Sequence, residues 1–239
     1  MLSALVFFLF VTSGYCIGLD DLPFVKRHER PATALSTKLL DGYNALDRPL
    51  KDHLRSVHVE IGITLLSFRF DDEQNQLQLS LWLHQIWRDE HLTWHPLEYG
   101  NLTQIRFWPH QIWQPDFWLY NSVVPPKQPI GVGNARSPLV VNSAGHVYAV
   151  DPQEWTTQDC RRDGSRGTIM CTFRLGSWTH DSQQIYPSLR GTPINLEMYA
   201  VNPHYQLTYS TVDRKEDFFN CCQQSYVELD FKFHIKKRD

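Results

Sequence analysis

Four leucines at every second position, Leu77, Leu79, Leu81 and Leu83, alternate with Gln76, Gln78, Ser80 and His84. Successive side chains of an extended strand point to opposite faces, so this spacing commits one face to a core and the other to the outside. The C-terminal region repeats the pattern: Val227, Leu229, Phe231, Phe233 and Ile235 form an apolar face, and Glu228, Asp230, Lys232 and His234 are expected to face water. In Ile169–Trp178, Ile169, Cys171, Phe173 and Leu175 alternate with Thr172 and Arg174. Everything after Val57 reads as strands with turns between them, which makes the chain all-β apart from one helix near the start. Pro31 suits the first turn of that helix, Leu35, Leu39 and Leu40 give a helical stripe, and Gly42 ends it.

Three aromatics break the strand pattern by falling on polar faces: Trp82, Trp178 and Tyr226. One outward aromatic is ordinary. Three on separate strands suggest a surface covered by a ligand or by another subunit, with scattered exposed rings as the plainer alternative. Net charge is only −3 and no Lys/Arg stripe is present, which argues against nucleic acid as a partner.

The N-terminal run Leu5–Val11 is apolar but too short to span a bilayer, and small residues follow at Ser13, Gly14 and Gly18. It reads as a signal peptide over residues 1–18, leaving one large domain over 19–239 that is expected to be secreted, extracellular and not inserted in a membrane. Removal of the leader also removes Cys16. Cys160, Cys171, Cys221 and Cys222 remain, an even number in an oxidising compartment, with three possible connectivities. The spacing favours Cys160 with Cys171, which flank a loop made tight by Gly164 and Gly167. Cys221 and Cys222 are neighbours whose Cα atoms sit below the usual bridging range, so a bond between them is possible but strained. Cross-pairing between the two sets stays open at this level.

Tyr205–Val212 and Tyr226–Ile235 look like the arms of a hairpin whose tip, Asp213 to Ser225, carries Cys221 and Cys222. The segment Pro125–Asn134 reads as an irregular loop. Asn101-Leu102-Thr103 is a glycosylation acceptor sequence in a turn-like context. His91 and His95 have zinc-ligand spacing, but no Glu follows His91 as the hydrolytic motif requires, and no phosphate-binding loop or nucleophile elbow occurs. The expectation is no catalytic residue, no metal and no cofactor.

The motifs now point to a family. The string IWQPDFWLYNSV, Ile112 to Val123, resembles the tryptophan–x–proline–aspartate stretch of nicotinic receptor ectodomains. YNALDRPL, LWLHQIW, LVVNSAGH, GSWTHDS and the vicinal Cys221–Cys222 appear in the family's order, between about Leu35 and Arg238. The chain is similar to the acetylcholine-binding proteins, soluble relatives of those ectodomains. The resemblance implies a twisted β-sandwich of about ten strands after one N-terminal helix, assembled as a homopentamer with binding sites between adjacent subunits. It implies a principal face with Tyr120, Trp178, Phe219, Cys221, Cys222 and Tyr226, and a complementary face with Trp82, Val140, Tyr148 and Val150. The implied partner is a small cationic amine, acetylcholine or a nicotine-like ligand, held by cation–π contacts. Two positions depart from the pattern. Phe219 stands where the family usually has Tyr, and the Cys160–Cys171 loop is short and charged. A receptor-like subunit that binds another amine or only modulates a partner is the competing reading. A secreted glycosidase would instead need two carboxylates flanking a cleft.

Overall fold

The computed structural model describes residues 30–123, 137–164 and 167–238. The expected leader with Cys16 and the Pro125–Asn134 loop lie outside the described residues. Helix α1, Pro31–Leu40, starts on its proline, buries Leu35 fully and packs Leu39 and Leu40 against the core. Gly42 follows in the left-handed region, φ +69°, where a side chain would be strained.

Eleven strands follow among the described residues. They are β1 (Val57–Asp71), β2 (Gln76–Arg88), β3 (Gln104–Phe107), β4 (Phe117–Leu119), β5 (Leu139–Asn142), β6 (His146–Thr157), β7 (Cys160–Asp163), β8 (Thr168–Ser177), β9 (Ile185–Asn195), β10 (Tyr205–Phe218) and β11 (Ser225–Lys237). One sheet has the order β3-β5-β6-β2-β1-β9 and the other β10-β11-β8-β4, with β7 paired to β8. Pairing is antiparallel except between β1 and β9, where Val57 opposes Ile185 in a parallel ladder.

The inner faces are the ones the alternation marks. Leu77, Leu79, Leu81 and Leu83 from β2 and Leu229, Phe231, Phe233 and Ile235 from β11 are each at most 1% exposed. Trp155 of β6 joins the layers, its ring 5.9 Å from Phe173 and 5.4 Å from Phe231 in the facing sheet. Each such buried side chain contributes about 1.5–3 kcal/mol relative to exposure.

Two expectations need correction. Glu228 and Asp230 do not face water; they are 6% and 1% exposed, and Thr172 is buried as well. The reason is that β11 and β8 are central strands whose outer face is covered by neighbouring side chains, among them Lys215, whose ammonium donates to Asp230. The hairpin tip is also shorter than the pattern indicates. The β10–β11 ladder runs to Phe218 opposite Ser225, leaving only Phe219–Gln224 as the tip. Charged residues at 213–217 hid this continuation, because alternation is lost where both faces of a ribbon are solvated. Asp72, just past β1, is tied into the fold by two bonds. It accepts from the Tyr205 hydroxyl and from Arg162 at 3.0 Å, and these bonds hold it below the usual carboxylate range.

Both disulfides form within their pairs. Cys160 and Cys171 are register partners on β7 and β8, so this bond staples a β-hairpin rather than an open loop. Cys221 is bonded to Cys222 at the hairpin tip.

Candidate functional site

The site grows from the outer face of the five-stranded sheet. Tyr120 follows β4, Trp178 follows β8, Phe219 opens the β10–β11 tip and Tyr226 lies just beyond it on β11. They surround a cavity of about 510 Å³ whose wall also includes Cys221, Cys222, Arg174, Ser177, Asn121 and Glu228. The rings meet edge to face: Tyr120 to Trp178 at 6.2 Å, Tyr120 to Phe219 at 6.4 Å and Phe219 to Tyr226 at 5.6 Å. In each such pair the positive edge of one ring meets the negative face of the other. Trp178 is 62% exposed, an unusual cost for so large an apolar ring.

Local chemistry holds each ring. The Tyr120 backbone N–H donates to Arg174 O at 2.8 Å, and its hydroxyl donates to Ser177 O. Burial, followed by the charges of Glu228 and Asp116, pushes the Tyr120 hydroxyl far above its ordinary pKa, so it stays a donor. Asp116 fixes the segment that carries Trp178. Its carboxylate accepts from Ser177 Oγ at 2.5 Å, Thr179 N and Oγ1 at 2.7 Å each, and it contacts His180 Nδ1 at 2.9 Å. Burial opposes its ionisation, but the bonds from His180, Ser177 and Thr179 outweigh that and hold Asp116 below the usual range. Trp178 N–H in turn donates to Asp116 O at 3.2 Å.

Four residues of the cavity wall were missed in the sequence, Asn121, Arg174, Ser177 and Glu228, as was Gly176, which lies against the Tyr120 ring. The signal for two of them was present. Glu228 is two positions from Tyr226, and Arg174 four from Trp178, so each shares a strand face with a ring already singled out. Burial and the charges of Asp217 and Asp230 push Glu228 above the usual carboxylate range, with Arg174 and Lys215 acting the other way. One carboxylate in an aromatic wall is not the pair that glycoside hydrolysis needs.

The remaining sequence candidates lie elsewhere. Trp82, Val140, Tyr148 and Val150 gather on the outer face of the six-stranded sheet. There Val140 opposes Tyr148, Tyr148 opposes Ile86, and Val150 and Trp82 occupy successive outward rungs of β6 and β2. Tyr148 and Val150 are 37% and 46% exposed. None of the four lines the cavity. The chain thus carries two separate surfaces, one an aromatic-lined cavity and one a mixed apolar patch. Asn101 is exposed just past the short turn of helix Pro96–Tyr99, its N–H bonded to Pro96 O at 2.9 Å.

A helix followed by this two-sheet sandwich, with a vicinal disulfide beside an aromatic cavity, defines the ligand-binding domain of the nicotinic, or Cys-loop, receptor class. Residues 32–239 match the family described as the neurotransmitter-gated ion-channel ligand binding domain, and the chain belongs to that family. It is 32% identical over 206 residues to the acetylcholine receptor subunit alpha-type acr-16 of Caenorhabditis elegans, covering 84% of this chain and 40% of the relative. It is 29% identical over 243 residues to the human neuronal acetylcholine receptor subunit alpha-10, covering 99% and 51%. The chain therefore spans about half or less of the length of the curated relatives it matches. The family is one of ligand-binding domains, not of enzymes. Among the described residues no helix is long and apolar enough to cross a membrane.

Proposed function

We propose that this domain captures a quaternary ammonium or protonated amine, acetylcholine or a nicotine-like ligand, between adjacent copies of itself arranged in a closed ring. The observation that carries the reading is the separation of the two surfaces. The aromatic cavity lies on one sheet, and a second surface of suitable character, Trp82 with Val140, Tyr148 and Val150, lies on the other. A single copy cannot bring them together, whereas a head-to-tail contact repeated around a ring can. Each ring face meeting a desolvated cation would contribute roughly 0.5–2 kcal/mol. Glu228 adds a carboxylate behind the rings, and the tip bearing Cys221–Cys222 closes over the ligand as a lid.

In this reading the chain is a secreted binding protein with a glycan on Asn101, whose exposed turn leaves the side chain accessible. The test is tryptophan-fluorescence titration of purified protein with acetylcholine, nicotine and serotonin, paired with light scattering. A saturable response from a ring-sized particle is expected. A stable monomer that binds as tightly, or no response to any amine, overturns it. The second reading is a receptor-like subunit that recognises another amine or modulates a partner. It draws on Phe219 and on the greater length of the relatives. Serotonin responding without acetylcholine would favour it.

A further inference from the structure

Gly176 sits on the outer face of β8, in register with Trp118 of β4 and Glu228 of β11, and is buried. A methyl group placed on its Cα would stand 2.7 Å from the Tyr120 hydroxyl and 2.8 Å from the ring carbons Cε2 and Cζ. Non-bonded carbons come to rest at about 3.5–4.0 Å, so these contacts are prohibitive. The Gly176 backbone is not in the left-handed region, so its conformation does not call for glycine. Glycine inside a strand weakens it unless something approaches closely, and here the Tyr120 ring is what approaches.

The ring cannot slide away at no cost. Its backbone N–H is bonded to Arg174 O at 2.8 Å and its hydroxyl to Ser177 O, one partner on each side of Gly176. Tyr120 is thereby laid across the bare backbone of β8 at Gly176, and its ring lines the cavity together with the flanking Arg174 and Ser177.

We infer that Gly176 is a positioning residue that sets the depth of the aromatic cavity through Tyr120, and so decides how bulky an organic ammonium ion can enter. The ligand part of this inference rests on the proposed cation site; the positioning part does not. A side chain at position 176 lifts the Tyr120 ring toward Phe219 and Trp178, now 6.4 and 6.2 Å away, and makes the cavity shallower. Bulky cations lose their place before small ones do.

The experiment is Gly176→Ala in the full chain, read three ways. The crystal structure of the variant without ligand should show the Tyr120 ring displaced and its bond to Ser177 O broken; an unmoved ring overturns the inference whatever the protein binds. Titration with tetrapropylammonium should weaken roughly tenfold while tetramethylammonium changes far less; equal losses for both overturn the depth role. In a Tyr120→Ala background, Gly176→Ala should have no further effect, because the clash is gone. If Gly176→Ala fails to fold, the Tyr120→Ala partner change should restore folding, and failure of that rescue also overturns the inference. A wild-type protein that binds no amine would refute the cation reading, while the ring displacement still decides the role of Gly176.

Discussion

The hydroxyls of Ser182 and Ser225 stand 2.7 Å apart and tie the segment after Trp178 to the foot of the hairpin tip. The same two residues share a backbone bond, Ser182 N to Ser225 O at 2.8 Å, and Ser225 Oγ donates to Glu216 at 2.5 Å. Because the β10–β11 ladder also ends at Ser225, this clamp fixes where the tip begins to bend. Replacing both serines by Ala removes hydrogen bonds worth about 1 kcal/mol each. Hydrogen exchange at the tip amides of residues 219–224 should accelerate and amine release should quicken, with little change in far-UV circular dichroism. Unchanged exchange at the tip would show that the clamp does not set its motion.

Asp116 makes the Trp178 segment sensitive to acid. Its folded pKa lies below its unfolded value, so its contribution to stability is present above the ordinary carboxylate pKa and is lost as pH falls through the depressed folded value. Ligand binding should therefore hold steady near neutrality on this account and weaken only in strong acid. Asp116→Asn should cost roughly 2 kcal/mol of stability and flatten that acid limb. Thermal melts of both proteins from pH 3 to pH 7 check this, and parallel curves would refute it.

The two disulfides should separate stability from binding. Cys160–Cys171 closes a loop across a sequence separation of 11, and its loss should cost roughly 2–3 kcal/mol or abolish folding. Cys221–Cys222 closes almost no loop, so the double change to Ser should leave Tm nearly unaltered while weakening amine binding several-fold. Unfolding of the Cys221/Cys222 variant with intact binding per folded molecule would reverse the assignment.

Phe219 is 40% exposed, with its ring against both Tyr120 and Tyr226. Phe219→Tyr should fold normally and change affinity by about 1 kcal/mol for ligands that can use the added hydroxyl. Isothermal titration with matched ligands, one with and one without an acceptor group, reads the difference. Collapse of the fold would mean that the ring belongs to the core.

Period-two alternation made the core of β2, β8 and β11 readable before any coordinates, because one face of each strand is apolar without interruption. It failed where covering comes from a third element. Glu228 and Asp230 look solvated along β11, and only the packing of β10 and β8 on either side buries them. The site rings were found as aromatics out of place or through family resemblance. Gly176 was invisible for a different reason: its meaning lies in a ring 56 positions earlier, Tyr120, and no local pattern encodes that contact. Asp116 was visible within its motif, but its hold on Ser177, Thr179 and His180 depends on β4 lying beside β8.

The parallel pairing of β1 with β9 gives the two halves of the proposed site different histories during synthesis. β1, β2 and β6 are neighbours in one sheet and leave the ribosome early, so the wall bearing Trp82 can assemble while much of the chain is still missing. The partner that completes the edge, with Ile185 opposite Val57, arrives only after β8, and the hairpin that frames the cavity comes later still. Contacts so distant in sequence close slowly. Nascent chains stalled with Thr157 clear of the ribosome should therefore already protect β2 amides from exchange, whereas full protection of β1 waits for β9; equal protection of both at that length would contradict this order. A subunit would then meet its neighbours with one mating surface long since set and the other newly made.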